Sequence, residues 1–183
     1  QKANASGNVK ISLIREPKKS DPSEMHIFCD KASLKNELKR IELLGSVKVE
    51  SNEGVIRAEK VTYNYQTHTG KITELPGRQV EMIFFRKNLK NDNKNSANSS
   101  NITANATEIL VNRNTRKITF QGDVSFKNPV EKFLFEAERA IAFLSEQEEL
   151  ETVVASGEVH ISQPDRNSSA DRAVFNYTEQ TVA

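Results

Sequence analysis

The sequence contains no tryptophan and a single cysteine, Cys29, among its 183 residues. One cysteine excludes an internal disulfide bond and any zinc site built from several thiolates. No apolar run reaches about 18 residues, so no membrane-spanning helix is predicted. Neither sign of charge dominates, with 26 basic and 25 acidic residues, whereas a nucleic-acid-binding domain carries a clear basic excess. What remains is a polar chain, of mean hydropathy −0.61, whose length is typical of one domain.

The balanced total conceals an uneven distribution of charge along the chain. Residues 1–90 hold 17 basic and 11 acidic side chains, and residues 91–183 hold 9 and 14. The first half therefore carries six surplus positive charges and the second half five surplus negative charges. If these charges lie near opposite ends of the fold, they favour contact between unlike ends of two copies.

Residues that could carry catalysis are scattered along the chain. His26, His68 and His160 have no metal-ligand spacing, and no phosphate loop, dinucleotide fingerprint or nucleophile elbow is present. A lone histidine on a strand is typical of an ordinary surface residue. The sequence therefore predicts a protein that is not an enzyme, holds no metal ion and uses no cofactor.

A four-residue pattern recurs along the chain: a small residue, an acid, a base, and then alanine or valine. It occurs as Cys29-Asp30-Lys31-Ala32, Ala58-Glu59-Lys60-Val61, Ala137-Glu138-Arg139-Ala140 and Ala170-Asp171-Arg172-Ala173, with a degenerate copy at Ala104-Asn105-Ala106-Thr107. Successive copies are 29, 46, 33 and 33 residues apart. Such self-similarity is typical of a repeat architecture. In the first copy Cys29 occupies the small-residue position, which favours a buried structural side chain over a nucleophile.

A second pattern, Gly-x-Val, follows the first. It occurs as Gly45-Ser46-Val47, Gly122-Asp123-Val124 and Gly157-Glu158-Val159, with a looser copy from Gly77 to Val80. The residues after each glycine alternate between apolar and polar side chains, which predicts strands with one buried face. The glycine indicates a bend or close backbone approach, and the broken alternation at the acid–base pair indicates a β-bulge.

Two windows, 32–44 and 136–155, also fit helical spacing when each is taken alone. The equivalent windows 55–72 and 102–120 contain β-branched and aromatic residues with turn residues between them. Because repeat units share one structure, all four windows are predicted to be strands. The acids of the first pattern are then expected to form an outward row of charges rather than a metal site.

The chain divides into three parts on composition. Residues 1–24 form a polar tail with one strand at Val9–Ile14, and residues 25–183 form a single β domain. Residues 86–101 within that domain are dominated by asparagine, lysine and serine, which predicts a low-complexity loop without an apolar face.

The alternation also assigns an inner, apolar face to the stacked strands. Its members are Ile27, Leu43, Val47, Val49, Ile56, Val61, Tyr63, Ile102, Ile109, Ile118, Phe120, Val124, Phe126, Phe133, Phe135, Val159, Ile161, Phe175 and Tyr177. These residues either fill a closed core, as in a solenoid that serves as an interaction or scaffold protein, or line an open groove for apolar chains. The unpaired edges of the first and last strands are templates for pairing between copies.

The ordered series of patterns resembles the lipopolysaccharide-transport protein A family, which is built on the OstA-like domain. The resemblance covers roughly residues 25–180, and the segments that carry it are Met25–Leu34, Phe120–Phe126, Ala137–Ala140, Gly157–Ile161 and Ser169–Phe175. It implies a β-jelly roll shaped like a folded taco, made of stacked antiparallel strands and open along one side. By position, Met25 and Ile27 would line its groove near the N-terminal end.

The resemblance also implies a function. Members of the family carry lipopolysaccharide through the periplasm to the outer membrane of Gram-negative bacteria, with acyl chains held in the apolar groove. They join head to tail and contact the bridge components at the inner and outer membranes. The glutamine at position 1 fits a soluble periplasmic chain whose signal segment has been removed. The same domain also occurs in an inner-membrane-anchored component and in an outer-membrane barrel component of the pathway.

Overall fold

The computed structural model describes residues 2–14, 24–85, 101–130, 132–177 and 181–182. These residues form thirteen β-strands, one single-turn 3-10 helix at Asn36–Leu38 and no α-helix. The prediction of an all-β fold is confirmed. The window 136–155 contains no helix, and the window 32–44 consists of two strands joined by the single-turn 3-10 helix. Residues 86–100, which make up nearly all of the predicted low-complexity loop, lie outside the described residues.

Eight of the strands are long and five are short. The long strands are β1 (Lys2–Ile14), β2 (Glu24–Lys35), β3 (Arg40–Ser51), β4 (Gly54–Asn64), β9 (Lys117–Asn128), β10 (Phe133–Leu144), β11 (Leu150–Gln163) and β12 (Arg166–Asn176). The short ones are β5 (Thr69–Thr73), β6 (Val80–Phe84), β7 (Ile102–Ala106), β8 (Glu108–Asn112) and β13 (Thr181–Val182).

All thirteen strands belong to one antiparallel sheet in which neighbours along the chain are mostly neighbours in space. The order is β1-β2-β3-β4-β5-β8-β9-β10-β11-β12-β13. Strands β6 and β7 stand beside β5 and β8: β6 pairs with β4, and β7 pairs with β6 and β9. Strands β5 and β6 together thus take the position of one long strand that is interrupted at its middle. Strands β7 and β8 take the position of another. Phe84, the last residue of β6, pairs with Ile102, the first residue of β7.

Each long odd-numbered strand bulges at the glycine of its Gly-x-Val sequence. Gly45, Gly122 and Gly157 have φ angles of 74–78°, and the residue after each also has a positive φ. In every case the glycine and the residue after it lie opposite a single residue of the following strand, the acid of the four-residue pattern. The register of the ladder therefore shifts by one residue at this point. Glycine adopts this left-handed backbone at little cost. The predicted bend is therefore confirmed, and the extra residues belong to the glycine strand.

The acid of each preceding strand lies directly over the glycine of the next repeat. A Cβ built on Gly45 would stand 2.8 Å from the Asp30 Cβ, and one built on Gly157 would stand 2.9 Å from the Glu138 Cβ. At Gly122 the neighbour is Thr107, whose Oγ1 would be 2.8 Å away. The acid side chain thus occupies the space that a side chain on the glycine would need.

This contact corrects the position of the degenerate repeat. Thr107 occupies the place of the acid, so the copy runs from Ala106 to Ile109, two residues later than the predicted Ala104–Thr107. The residue equivalences confirm this alignment, because Glu108 pairs with Gln121 and Asn105 pairs with Ser125 on either side of the bulge. A threonine in the acid position had disguised the copy in the sequence.

The bulges fold the long strands so that their two arms face each other. Phe120 and Phe126 flank the bulge of β9 and are six residues apart, which in a straight strand is about 20 Å. Their ring centroids lie only 4.8 Å apart. The strand must therefore turn back on itself at Gly122. Because the bulges are in register along the stack, the sheet forms two walls with an apolar interior between them.

The N-terminal segment expected to be a polar tail contains a strand longer than predicted. Strand β1 covers Lys2–Ile14, pairs with β2 along its length and bulges at Gly7-Asn8. Gly7-Asn8-Val9 is a further copy of Gly-x-Val. Residues 2–8 are exposed, so backbone pairing rather than side-chain burial holds them in place. With β5 and β6 counted as one strand and β7 and β8 as another, β1–β12 consequently form five two-strand repeats, and β13 adds a short strand at the end.

Ion pairs cover part of the outer face of the first two repeats. Glu42 accepts a hydrogen bond from Lys35 Nζ at 2.6 Å and lies 2.7 Å from a guanidinium nitrogen of Arg40. The hydrogen bond from Lys35 holds the pKa of the Glu42 carboxyl below its ordinary value. Burial opposes this effect, and the charges of Arg40, Lys35 and Lys60 make smaller contributions that lower the pKa further. A carboxyl whose pKa is lowered by folding stabilises the folded state most at neutral pH.

We expect the stabilisation by Glu42 to disappear in acid. The contribution is complete above the unfolded-state pKa of about 4.3 and is lost as the pH falls through the lowered folded-state pKa. Glu42→Gln should therefore lower the free energy of unfolding at pH 7 and have a smaller effect at pH 3, as measured by urea denaturation. Glu151→Gln, an exposed position on β11, is the matched control. Equal losses for Glu42→Gln at both pH values would contradict this prediction.

Candidate functional site

The structure brings the predicted inner-face residues together between the two walls. Of the twenty, including Met25, thirteen are buried and seven are half-buried, and none is exposed. All of them except Tyr63 belong to, or pack against, one of two apolar clusters. Tyr63 instead places its hydroxyl 3.3 Å from Nδ1 of His68. The alternation of period two thus identified which residues face the interior. Whether that interior is a filled core or an open groove depends on how closely these side chains pack.

Several interior residues were missed by the sequence analysis. The buried ones are Ala58, Ile72, Val80, Met82, Ala104, Ala106, Ala137, Ala140, Ala142, Val153, Ala155 and Ala173. Most are small, and many stand at the alanine positions of the recurring four-residue pattern. Small residues at these positions let the two walls approach near each bulge, so the pattern itself was the available indication.

Phenylalanine rings fill the interior at the C-terminal end. The phenylalanine stack consists of Phe120, Phe126, Phe133, Phe135 and Phe175, all buried. At its centre Phe135 stacks on Phe126 and on Phe175, with centroid distances of 4.7 and 4.3 Å and interplanar angles of 11° and 13°. Phe120 and Phe133 meet the stack edge-on. This end of the interior is a packed core.

The N-terminal end of the interior is aliphatic and less enclosed. Only Ile27, Cys29, Leu43 and Val47 are buried there. The other members of this cluster are half-buried: Val9, Ile11, Met25, Ala32, Ile41, Val49 and Val61. Their side chains retain solvent-accessible apolar surface between strands β1 and β4. We call this region the aliphatic mouth.

A shallow cavity of about 610 Å³ lies away from the aliphatic mouth. It crosses strands β3, β4, β5, β8 and β9 and is lined largely by polar and basic side chains, among them Arg40, Asn64, Lys71, Asn112 and Lys117. Arg40 and Lys71 are already paired, with Glu42 and Glu108.

The side chains that could bind a metal ion lie apart from one another in the described residues. No group of three or more histidine, cysteine, aspartate or glutamate side chains converges among them. The histidines lie apart and contact ordinary neighbours: His26 meets Ser12, and His160 meets Ser169. Burial raises the pKa of the Cys29 thiol, and the charge of Asp30 raises it further, which keeps the sulfur in its unreactive protonated form.

Bent antiparallel strands around an apolar interior, which is packed at one end and half-buried and aliphatic at the other, define an all-β protein of stacked two-strand repeats. Residues 26–147 match the model of the LptA/(LptD N-terminal domain) LPS transport protein family. The match spans about two thirds of the sequence, and the chain belongs to this family. The resemblance drawn from the repeats is therefore confirmed, and the family's role is in lipopolysaccharide transport.

Known structures agree with this assignment at the level of the fold. The chain is similar to LptH, the LptA homologous periplasmic component of the conserved lipopolysaccharide transport device from Pseudomonas aeruginosa. The TM-score is 0.55 at 12% sequence identity, over 80% of this chain and 93% of LptH. The jelly-roll prediction is thereby confirmed. No curated protein matches the sequence.

Among the residues that the structure describes, no helix has the length and apolar character needed to cross a membrane.

Proposed function

We propose that this chain is a periplasmic lipopolysaccharide carrier that holds the acyl chains of its ligand in the apolar interior, beginning at the aliphatic mouth. The observation that carries the proposal is the exposed apolar surface of the mouth. Aliphatic side chains attract acyl chains without directional constraints, and each buried CH₂ contributes about 0.8 kcal/mol. The family's role in lipopolysaccharide transport and the periplasmic setting of LptH support this assignment.

The two ends of the interior suggest how a bound acyl chain lies. The half-buried Met25 and Val49 are accessible at the mouth, whereas Phe135 is fully buried further along the stack. Methionine is flexible and adapts to apolar ligands of different shapes. We infer that the acyl chains enter among the aliphatic residues and end against the phenylalanine stack.

We further propose that copies join head to tail and contact the inner- and outer-membrane components of the same transport pathway. Strands β1–β3 contain six basic and four acidic residues, and strands β10–β12 contain three basic and five acidic residues. The ends of the sheet thus carry opposite net charges, in the sense expected from the sequence. Opposite charges favour contact between unlike ends over contact between like ends.

Lipid binding can be tested by photo-crosslinking with purified lipopolysaccharide. Val49 and Lys48 are neighbours on β3 whose side chains point to opposite faces of the sheet. A benzophenone amino acid placed at Val49 should form adducts with lipopolysaccharide, and the same group at Lys48 should form few. Circular dichroism of each variant verifies the fold.

A closed-core scaffold is the second candidate, and the phenylalanine stack favours it because that end of the interior is already full. Adducts that are absent at Val49 in a folded variant, or equally frequent at Lys48, would overturn the lipid-carrier proposal in favour of the scaffold.

A further inference from the structure

Asparagine residues that could accept a glycan occur six times in the sequence. The acceptor sequence is Asn-x-Ser or Asn-x-Thr, in which the middle residue is not proline. It begins at Asn4, Asn98, Asn101, Asn105, Asn167 and Asn176. Because asparagine is frequent in this chain, several of these copies are expected by chance. The structure distinguishes among them, since a glycan can be added only to an accessible amide.

Most of the acceptors that the structure describes are poorly accessible. Three of the five are half-buried, namely Asn101, Asn105 and Asn176. The side-chain nitrogen of Asn105, which is the atom that would receive the sugar, donates a hydrogen bond to Oγ of Ser125 at 3.3 Å. Asn98 lies outside the described residues. Asn4 and Asn167 are the exposed acceptors of the described chain.

Asn167 belongs to the longest exposed run of the described residues. It is the second residue of β12 and follows the two-residue turn Pro164-Asp165, which connects β11 with β12. Residues 164–172 are all exposed. No described strand pairs with the outer edge of β12 over residues 166–174. An enzyme can therefore approach Asn167 from the turn and from the free edge of the strand.

The two side chains that define this acceptor sequence lie on the same face of the sheet. Asn167 pairs with Ser162 of β11, and Ser169 pairs with His160. Residues two apart on a strand project to the same side. The amide of Asn167 and the hydroxyl of Ser169 are thus presented together to an enzyme that must contact both.

Little besides backbone pairing holds this segment in place. The side chains of Arg166 and Gln163 share a hydrogen bond, and Oγ of Ser169 lies 3.0 Å from Nδ1 of His160. Both contacts are exposed, so their groups exchange these bonds for bonds to water at little net cost. No apolar side chain of residues 164–172 is buried. Local opening here therefore requires much less free energy than global unfolding.

An acidic residue distinguishes Asn167 from the other exposed acceptor. Asp165 precedes Asn167 by two residues, whereas Lys2 precedes Asn4 by two. No other acceptor in the sequence has an acid at that position. The exposed carboxylate of Asp165 can accept a charge-assisted hydrogen bond from a basic group of an enzyme. Asn167 thus offers one more contact for recognition than Asn4 does.

We propose that Asn167 is a site of N-glycosylation by a periplasmic oligosaccharyltransferase. The co-substrate is an oligosaccharide joined through a diphosphate to a polyprenyl lipid. The side-chain nitrogen of Asn167 attacks the anomeric carbon of the first sugar, a carbon–nitrogen bond forms, and the bond from that carbon to the diphosphate oxygen breaks. The lipid diphosphate leaves, and the proton released by the amide nitrogen goes to it. This inference rests on the periplasmic location proposed above.

The glycan would lie far from the region proposed to bind lipid. Asn167 is on β12, whereas strands β1–β4 at the other end of the sheet form the aliphatic mouth. Its pairing partner Ser162 lies on the face opposite the inward-facing Ile161. Glycosylation and lipid binding are therefore separate properties, and each can be measured without the other.

Transfer in vitro tests the site on the folded protein. The purified full chain is incubated with a bacterial oligosaccharyltransferase and its lipid-linked oligosaccharide, and the intact mass is recorded. We expect the mass to increase by one oligosaccharide. Asn167→Gln and Ser169→Ala should abolish the increase, whereas Ser169→Thr and the matched control Asn4→Gln should retain it. An increase that persists in Asn167→Gln would overturn the assignment.

The role of the acid is measured in the same reaction. Asp165→Ala removes one charged hydrogen bond to the enzyme, so we expect the rate of transfer to fall about tenfold or more. Equal rates for Asp165→Ala and the unsubstituted chain would contradict a role for Asp165 in selecting Asn167.

A peptide of residues 161–173 separates the effect of the sequence from that of the fold. It contains the same acceptor without the sheet, and we expect both the peptide and the folded chain to be modified. A modified peptide together with an unmodified folded chain would overturn the accessibility of Asn167. An unmodified peptide, with a known acceptor peptide modified in parallel, would overturn the acceptor sequence itself. Neither result affects lipid binding, which is tested by crosslinking at Val49.

Discussion

Replacing Phe135 with alanine is expected to destabilise the protein by about 3–5 kcal/mol, the usual range for a large aromatic side chain lost from a packed core. Phe135 is fully buried and lies between the rings of Phe126 and Phe175. Its removal leaves a cavity between the two walls and separates rings contributed by three strands. Since small domains are stable by about 5–15 kcal/mol, the loss should be evident in both thermal and urea unfolding.

The same strand offers a control for Phe135→Ala. Phe143 is half-buried on the opposite face of β10, where the ammonium of Lys117 lies 5.3 Å from its ring centroid. Phe143→Ala removes a ring of the same size without opening a cavity in the core, so we expect a loss of about 1 kcal/mol or less. Comparable losses for the two variants would show that the phenylalanine stack is not the stabilising core of the C-terminal end.

Substituting alanine for Gly157 is expected to cost about 2–4 kcal/mol. Two effects combine: the φ of 78° is unfavourable by about 1–2 kcal/mol for any residue with a Cβ, and the added methyl group would lie 2.9 Å from the Cβ of Glu138. Because the contact involves the Cβ, rotation of the Glu138 side chain alone cannot relieve it. The free energy of unfolding measured in urea should fall by the sum of both effects.

Gly77→Ala isolates the backbone part of that loss. Gly77 has a φ of 82° but no atom within 4 Å of the position of a Cβ, so its substitution should cost only the backbone strain. The difference between the two variants then measures the contact with Glu138. Losses of equal size would mean that the Glu138 side chain moves aside without an energetic cost. The contact between Glu138 and Gly157 would then contribute nothing to stability.

Much of this fold could be predicted from the sequence because its regularities are local. The alternation in β10 places Phe133, Phe135 and Ala137 inward, and the three-residue step from Ala137 to Ala140 marks the register shift at the bulge. The positive φ of the Gly-x-Val segments requires glycine at the first position. Strand periodicity and backbone preference together were enough to predict the stacked, bent strands.

The parts that were missed depend on pairing rather than on local pattern. The first arm of β1 contains no large apolar side chain, and residues 2–8 are all exposed. Only Gly7-Asn8-Val9 indicated that it continues the repeats. The candidate site also has a part that follows from local sequence pattern and a part that depends on contacts between distant residues. Alternation identified the interior residues, but its packed and half-buried ends differ because phenylalanine rings meet across the walls at the packed end, Phe120 with Phe126 and Phe135 with Phe175. Such contacts between distant residues have no local signature.

The pairing of Phe84 with Ile102 has a consequence for how this chain tolerates changes in length. The residues that flank the segment at 85–101 are opposite each other in the ladder between β6 and β7. A segment whose two ends are already held together by the sheet can grow or shrink at a small entropic cost, because each doubling of its length adds only about 0.6 kcal/mol. The spacing of the repeats on either side is then independent of what is inserted. This junction is the natural place for a fluorophore or affinity tag that must leave both edges of the sheet free.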